Sequence, residues 1–173
     1  HDTGSAVAAV PFEDPQKSLY ISCGTWSLMG TELKQPLINE KAMAFNFTNE
    51  GGVERTTRFL SNIMGLWLIQ ESRRQWKREN LEYSFNDMEN AAKEAEPFRS
   101  FINPDFDGFT PPGDMPGRIR EFCKNAGLKV PETMGEVVLC IYQSLALKYR
   151  YVTEAMEEMM GTRIDTIHME AAV

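Results

Sequence analysis

The first residues of the chain combine an imidazole, a carboxylate and a hydroxyl in His1-Asp2-Thr3. A carboxylate in this setting can act as a general base, because it can accept the proton of a substrate hydroxyl as that oxygen attacks. Asp2 and Thr3 are also residue types that cap helices, and the apolar run that ends at Pro11 predicts a short helix directly after them. Taken alone, these residues favour the capping role for Asp2.

A second group lies at Gly24-Thr25, between two runs in which apolar and polar residues alternate. Alternation with a period of two on both sides of a glycine predicts two strands joined by a tight turn, a hairpin over residues 18–33. We expect Gly24 to supply a positive φ or a close approach of another group. Backbone amides of such a turn, with the Thr25 hydroxyl, can hold a phosphate. An ordinary hairpin tip is the simpler interpretation, because a Gly-Thr pair is a weak motif.

Two amide side chains, Asn62 and Gln70, lie in a stretch predicted to be helical over residues 62–77. Eight residues of helix separate them by about 12 Å along the axis. Both side chains could therefore face one cleft at different depths. Alternatively, Asn62 caps the helix and Gln70 is a surface residue, and the residues alone leave both interpretations open.

The elements that would position these groups predict an α/β fold. Thr133-Met-Gly-Glu136 is a capping box that opens a long helix, and Gly161 follows the last residue of that helix, Met160. Apolar residues recur along it at helical spacing, which indicates a helix packed on a sheet rather than a cofactor site. We expect a mixed sheet made of the hairpin, a strand near 44–49 and a strand near 163–169.

Two shorter helices are predicted from their caps. Ser84 precedes a helix over 88–95, and Asp114 precedes a helix to about Ala126 that Gly127 ends. Asp105 and Asp107 lie in the loop between them. Their spacing lacks the other ligands of a calcium loop, so we interpret them as turn residues.

Composition narrows the possible partners. The chain has 173 residues, which suits one domain, and a net charge of -7, which argues against a nucleic-acid surface. No apolar run approaches the roughly 20 residues of a membrane span. The three cysteines form no metal or disulfide motif and are expected to be cytosolic thiols. Cys123 and Cys140 could face each other as a disulfide, although two buried thiols are favoured.

Several stretches, in their order along the chain, resemble the C-terminal half of the FGGY family of carbohydrate kinases. The resemblance spans essentially the whole chain, and it is strongest for members that phosphorylate L-rhamnulose. The stretches that carry it are His1-Asp-Thr3 with Ser5-Ala-Val7, Ser22-Cys-Gly-Thr-Trp-Ser-Leu-Met-Gly30, Asn46-Phe-Thr-Asn-Glu-Gly-Gly52, Asn62-Ile-Met-Gly-Leu-Trp67, Ser144-Leu-Ala-Leu-Lys-Tyr149 and Ile167-His-Met169.

The resemblance implies a ribonuclease-H-like, actin-like ATPase domain, the second domain of such a kinase, in truncated form over residues 1–173. The implied reaction transfers the γ-phosphoryl of ATP to the 1-hydroxyl of L-rhamnulose in the cytoplasm, with Mg²⁺ as cofactor. A kinase for another deoxy-ketose, such as L-fuculose, is the alternative within this class. A stand-alone, non-catalytic interaction domain is the alternative from another class.

The resemblance also assigns roles to residues, which reverses the interpretations favoured above for Asp2 and Thr25. Asp2 matches the general base. His1, Asp2, Thr3 and Asn62 match sugar-side positions, whereas Thr25 and Gln70 match ATP-binding positions. No residue matches a metal ligand.

Two departures from the family pattern lead us to expect no kinase activity from this chain alone. The family has a glycine-rich turn after the strand that here ends in Ile167-His-Met169, where this chain reads Glu170-Ala-Ala-Val173. The N-terminal kinase domain is also absent from the sequence. FGGY kinases close two domains around their substrates, which excludes water and completes the site.

Overall fold

A computed structural model describes residue 14 and residues 17–171. The predicted helix before Pro11 and the residues His1, Asp2 and Thr3 lie outside this range. The chain divides into two compact units, one made of His1–Gly65 with Tyr149–Val173 and the other of Leu66–Lys148.

The first unit contains a five-stranded mixed sheet. Its strands lie in the order β3-β4-β2-β1-β5, and every neighbouring pair is antiparallel except the parallel pair of β1 and β5. A five-residue helix, α1, precedes β3, and a single 3-10 turn over Val53–Arg55 precedes β4. The strands are β1 (Ser18–Cys23), β2 (Trp26–Leu33), β3 (Phe47–Gly51), β4 (Thr57–Met64) and β5 (Thr166–Ala171), and α1 covers Glu40–Ala44.

The predicted hairpin is confirmed with its turn at Gly24-Thr25. Alternation places Leu19, Ile21 and Met29 on one face of the sheet, where they are buried against the end of the long helix. The core on that face also contains Phe47, Phe59 and Ile63 of the sheet, Val152, Ala155 and Met156 of the long helix, Ala42 of α1, and Ile164. Burial of these side chains fixes which face of each strand points inward.

Asn62 is in strand β4, so the prediction that it lies on or caps a helix is wrong. Leu60–Met64 is a short segment of mixed apolar and polar residues, which by itself is compatible with both a strand and a helix. Pairing selects the strand, because β2 pairs with β4 along Thr57–Met64 and β3 pairs with it along Thr57–Ser61. The helix begins at Trp67, after Gly65, and the estimate of 12 Å along a helix does not apply.

The strand expected over 44–49 begins only at Phe47, because the preceding residues form α1. The Asn39 side chain accepts a hydrogen bond from the Ala42 amide at 2.7 Å and caps this helix. The last strand likewise starts at Thr166 rather than 163. These boundaries depend on local capping and on partner strands.

The second unit is helical. The helix expected over 88–95 begins earlier, at Phe85, because Ser84 itself is the N-cap. Ser84 and Asp87 form a reciprocal capping box, and the Asp114 carboxylate accepts from the Gly117 amide at 2.9 Å. The elements are α2 (Trp67–Arg78), α3 (Phe85–Glu94), a 3-10 turn (Asp107–Phe109), α4 (Met115–Asn125) and the start of α5 (Met134–Met160), whose last residues belong to the first unit.

The long helix α5 confirms its predicted bounds. The Thr133 amide donates to the Glu136 carboxylate at 3.0 Å, and the Thr133 hydroxyl accepts from the Glu136 amide at 3.2 Å. Gly161 ends the helix with a φ of 67°, a conformation that favours glycine. No helix among residues 17–171 is long and apolar enough to cross a membrane.

Cys123 and Cys140 confirm the buried-thiol interpretation, since both are free and almost completely buried. A hydrogen bond with Cys123, together with desolvation, raises the pKa of the Cys140 thiol. Cys140 is therefore a poor nucleophile at neutral pH.

A buried carboxylate, Glu71, organises the second unit. Its side chain is 1% exposed and accepts hydrogen bonds from Arg74, Arg78 and the Gly113 amide at 3.0 to 3.1 Å. Burial alone would raise the pKa of Glu71, but the hydrogen bonds from the Arg78 and Arg74 side chains and the Gly113 amide outweigh that effect and hold it below its ordinary value. The hydrogen bond from the Gly113 amide to Glu71 thereby connects the loop before α4 to helix α2.

Replacement of Glu71 by alanine is expected to lower the free energy of unfolding by about 2–3 kcal/mol, because the Gly113 amide and two guanidinium groups lose a buried acceptor. Urea unfolding followed by circular dichroism measures this change.

Since the folded-state pKa of Glu71 is lowered, its contribution to the free energy of unfolding is complete above the ordinary value of 4.5 and is lost as the pH falls through the folded-state pKa. The difference in the free energy of unfolding between wild type and Glu71→Gln should therefore become smaller below pH 4.5.

Glu82→Ala is the matched control for Glu71→Ala. The Glu82 side chain is 80% exposed and lies 4.0 Å from Lys77, so its removal should change the free energy of unfolding by less than about 0.5 kcal/mol. Equal effects of the two substitutions would contradict the role assigned to Glu71.

Tyr20 presents the opposite situation, a buried polar atom without a partner. The residue is 1% exposed, and among the described residues its hydroxyl is the one buried side-chain polar atom that lacks a hydrogen bond. Burial raises the pKa of Tyr20, so the hydroxyl stays protonated at neutral pH. An unsatisfied buried hydroxyl destabilises the folded state.

Tyr20→Phe is expected to raise the free energy of unfolding by about 1 kcal/mol, because the ring is kept and the unsatisfied hydroxyl is removed. Chemical denaturation checks this directly. Tyr142→Phe, at a residue that is 36% exposed, should leave stability unchanged. A clear loss of stability in Tyr20→Phe would show that its hydroxyl is satisfied in the folded protein.

Candidate functional site

The Gly24-Thr25 turn lies at the end of the β1–β2 hairpin. The Gly24 amide donates to the Trp26 carbonyl oxygen at 3.0 Å, and Thr25 is exposed to solvent. Gly24 is not among the residues with positive φ, so the turn does not need glycine for that reason. An exposed hydroxyl beside the amides of a turn can bind an anion such as a phosphate group.

Gly65, directly after β4, packs against this turn and was not singled out from the sequence. Its amide donates to the Thr25 carbonyl oxygen at 3.2 Å. A Cβ atom on Gly65 would lie 2.6 Å from Ser27 Oγ and 2.8 Å from the Gly24 carbonyl oxygen. These separations are too short for any side chain, so glycine is required here for a close approach of backbones.

The base of the turn is closed by the paired residues Cys23 and Ser27. Ser27 is completely buried, and its Oγ shares a 2.7 Å hydrogen bond with the hydroxyl of Tyr149 on α5. The same hydroxyl interacts electrostatically with the Cys23 thiol. Burial raises the pKa of both Tyr149 and Cys23, so both groups are neutral at pH 7.

Asn62 lies near the same end of the sheet. It pairs with Leu28 across the β2–β4 ladder, three residues from Thr25, or about 10 Å along the strand. Its neighbours Ser61 and Ile63 are buried, whereas Asn62 is exposed on the opposite face of the sheet. Its amide is therefore available to a polar ligand on that face.

Gln70 lies in the second unit and lines a cavity of about 490 Å³. Arg73, Arg74 and Lys77 follow it at the spacing that places residues on one face of a helix. The segment after α2 forms the other wall, through Glu82, Tyr83, Ser84, Phe85 and Asp87. The cavity thus combines an amide, three cations, two carboxylates and two aromatic rings.

Aromatic contacts hold the cations of this cavity in place. The Arg73 guanidinium lies 4.7 Å above the Phe85 ring and donates from Nε to the Tyr83 carbonyl oxygen at 2.7 Å. The Arg74 guanidinium lies 5.4 Å from the Trp67 ring. Positively charged planar groups in fixed positions suit a small anionic ligand with a flat ring.

The described residues contain no group of three or more histidine, cysteine or acidic side chains that could hold a metal ion. Asp105, considered above as a cation ligand, forms an ion pair with Lys148 at 2.8 Å. Of the predicted site residues, Thr25 and Asn62 thus lie near one end of the sheet in the first unit and Gln70 lines the cavity of the second. His1, Asp2 and Thr3 are outside the described range.

Solved structures show that this fold is that of sugar kinases. The xylulose kinase from Bifidobacterium adolescentis matches 99% of this chain with a TM-score of 0.61 and 12% identity, over 31% of its own length. A xyloylose kinase from Brucella ovis matches 99% with a TM-score of 0.63 and 14% identity, over 34% of its length. The expected α/β fold is confirmed.

The family model for the C-terminal domain of the FGGY carbohydrate kinases matches residues 19–170. The chain belongs to this family. Curated relatives include the rhamnulokinases of Bacteroides thetaiotaomicron, Ligilactobacillus salivarius and Bacillus subtilis, which are 49%, 44% and 41% identical over 169 residues. These matches cover 98% of this chain and 34% of each relative, so the chain spans about a third of their length.

Proposed function

We propose that this chain forms the C-terminal part of a longer kinase that transfers the γ-phosphoryl of ATP to the 1-hydroxyl of L-rhamnulose. Identity of 49% to a rhamnulokinase along nearly the whole chain is the observation that carries this proposal. Because the chain spans 34% of that relative, we assign the activity to a protein that also contains an N-terminal kinase domain. We expect that protein to be cytoplasmic.

In this proposal the Gly24-Thr25 turn binds phosphate oxygens of ATP. Three observations support this role: Thr25 is exposed, it lies at the tip of a paired hairpin, and its carbonyl oxygen accepts a hydrogen bond from the Gly65 amide. Phosphoryl transfer requires positioning and charge stabilisation more than covalent chemistry from the protein. A turn held by flanking strands provides positioning without a loss of chain entropy at binding.

Gln70, in the cavity that it lines, is also proposed to be an ATP-binding residue. The Gln70 amide can donate to and accept from polar edges of a base or a ribose. Tyr83 and Phe85 offer ring faces, and Arg73 and Lys77 offer positive charge. This combination suits a nucleotide better than an uncharged sugar.

Asp2 is proposed to be the general base. Its carboxylate accepts the proton of the 1-hydroxyl while that oxygen forms a bond to the γ-phosphorus of ATP, and the bond from the phosphorus to the bridging oxygen of ADP breaks. His1, Thr3 and Asn62 are proposed to hold the sugar so that the hydroxyl is aligned with the phosphorus. The exposed position of Asn62 supports a ligand contact.

Mg²⁺ would enter this site with ATP. In kinases the ion keeps several waters and is held by substrate phosphates with one or two carboxylates, so a dedicated group of protein ligands is not required. The described residues, which contain no such group, are compatible with that mode. When bound, the ion supplies charge neutralisation at the phosphates.

The proposal predicts separate effects of the site variants on the full-length protein. Asp2→Asn should lower kcat by about 10²- to 10⁴-fold, since the proton acceptor is lost. Thr25→Val and Gln70→Ala should raise KM for ATP by about three- to tenfold and leave KM for L-rhamnulose within twofold, because each removes one nucleotide contact. A coupled assay of ADP release measures kcat and both KM values for each variant.

Thr110→Val and Gln75→Ala are matched controls, because both change the same residue types at positions outside the candidate site. They should show wild-type kinetics.

Equal turnover of L-fuculose and L-rhamnulose would replace the proposed substrate by a broader class of deoxy-ketoses. No ATP-dependent turnover of either sugar by a folded full-length protein would contradict the proposed kinase function and favour a non-catalytic role. The 173-residue chain alone should show no turnover.

A further inference from the structure

Tyr149 ends the Ser144–Tyr149 stretch, one of the segments that resemble FGGY kinases, yet no role has been assigned to it above. It lies on α5 one turn before Val152 and two turns before Met156, so it faces the sheet with these core residues. Unlike them, it carries a polar group into that interface. A tyrosine at an otherwise apolar helix–sheet contact needs a partner for its hydroxyl.

Both partners of the Tyr149 hydroxyl belong to the pair of residues that closes the Gly24-Thr25 turn. Ser27 Oγ lies 2.7 Å away and forms the hydrogen bond, and the Cys23 thiol interacts electrostatically with the same hydroxyl. Cys23 is the last residue of β1, and Ser27, its register partner, is the second residue of β2. A single hydroxyl on the helix therefore contacts both strands immediately before and after the turn.

We propose that Tyr149 is a positioning residue for the Gly24-Thr25 turn, and that its hydroxyl holds the turn in the geometry that binds the phosphates of ATP. This inference rests on the proposed function of Thr25. Tyr149 does not touch the nucleotide in this account. It acts through Ser27 and Cys23, whose backbones lead directly into the turn.

The turn is then fixed from two directions. Gly65 approaches it from the end of β4, with its amide on the Thr25 carbonyl oxygen at 3.2 Å. Tyr149 fixes the base of the hairpin from the helix. Loss of the Tyr149 hydroxyl leaves Ser27 Oγ buried without this partner, and a buried hydroxyl then seeks another acceptor or donor by moving its backbone.

The test compares Tyr149→Phe with wild type in the full-length protein. Tyr149→Phe should raise KM for ATP by about three- to tenfold, the range that one hydrogen bond supports, while KM for L-rhamnulose stays within twofold. A purely structural role would not separate the two KM values. Ser27→Ala should reproduce the effect, and the double variant should be no worse than either single one, because the two hydroxyls form one hydrogen bond.

Tyr151→Phe is the matched control. It removes a hydroxyl from the same helix two residues later, about 200° around the helix axis and therefore away from the hairpin. Its KM for ATP should be that of the wild type. Gly65→Ala perturbs the turn from the other side, since the new methyl would lie 2.6 Å from Ser27 Oγ, and it should also raise KM for ATP.

The outcomes distinguish this inference from the proposed function. If Thr25→Val raises KM for ATP and Tyr149→Phe does not, the positioning role of Tyr149 is wrong and the proposed function stands. If Tyr149→Phe raises KM for ATP and Thr25→Val does not, the turn binds ATP through its backbone and Tyr149 still positions it. Unchanged KM values in both variants, or equal changes for ATP and sugar in Tyr149→Phe, overturn the inference.

Discussion

Strand β2 is paired along all eight of its residues with β4, and Ser27–Gly30 are also paired with β1. Side chains alternate between the two faces of a strand, so a slip of one residue would move every β2 side chain to the other face. Met29 would leave the core, and Ser27 would lose Tyr149. The geometry of the candidate phosphate turn at Gly24-Thr25 thus depends on the register of β2, although most residues of β2 lie outside the turn.

Local signals were sufficient to predict the hairpin and both ends of the long helix α5. A capping box such as Thr133 with Glu136 depends on residues three positions apart, and a glycine stop such as Gly161 depends on one residue. Strand β4 was not predictable in this way. Its residues are compatible with two structures, and only pairing with β2 and β3, which lie elsewhere in the sequence, selects the strand.

The candidate site also combines features that local sequence predicts with features that depend on contacts between distant residues. The position of the Gly24-Thr25 turn followed from alternation around a glycine, but the roles of Thr25, Asn62 and Gln70 came from resemblance to a family. Gly65 and Tyr149 were missed because their contacts join residues far apart in sequence, 122 positions in the case of Ser27 and Tyr149. Neither residue belongs to a chemical motif. A close backbone approach and a shared hydroxyl contact become visible only when the chain is folded.

The net charge of -7 excludes a large basic surface, yet it says little about a cavity formed by nine residues. Arg73, Arg74 and Lys77 lie on one face of α2, and carboxylates stand beside them: Glu71 pairs with Arg74, and Glu82 lies 4.0 Å from Lys77. These carboxylates lower the local potential, so an extended polyanion gains little from the cavity. A ligand that combines a flat ring with a few negative charges gains both the aromatic contacts and the guanidinium groups. For the proposed nucleotide cavity, the local pairing of charges is therefore a better guide to the anions it would accept than the net charge.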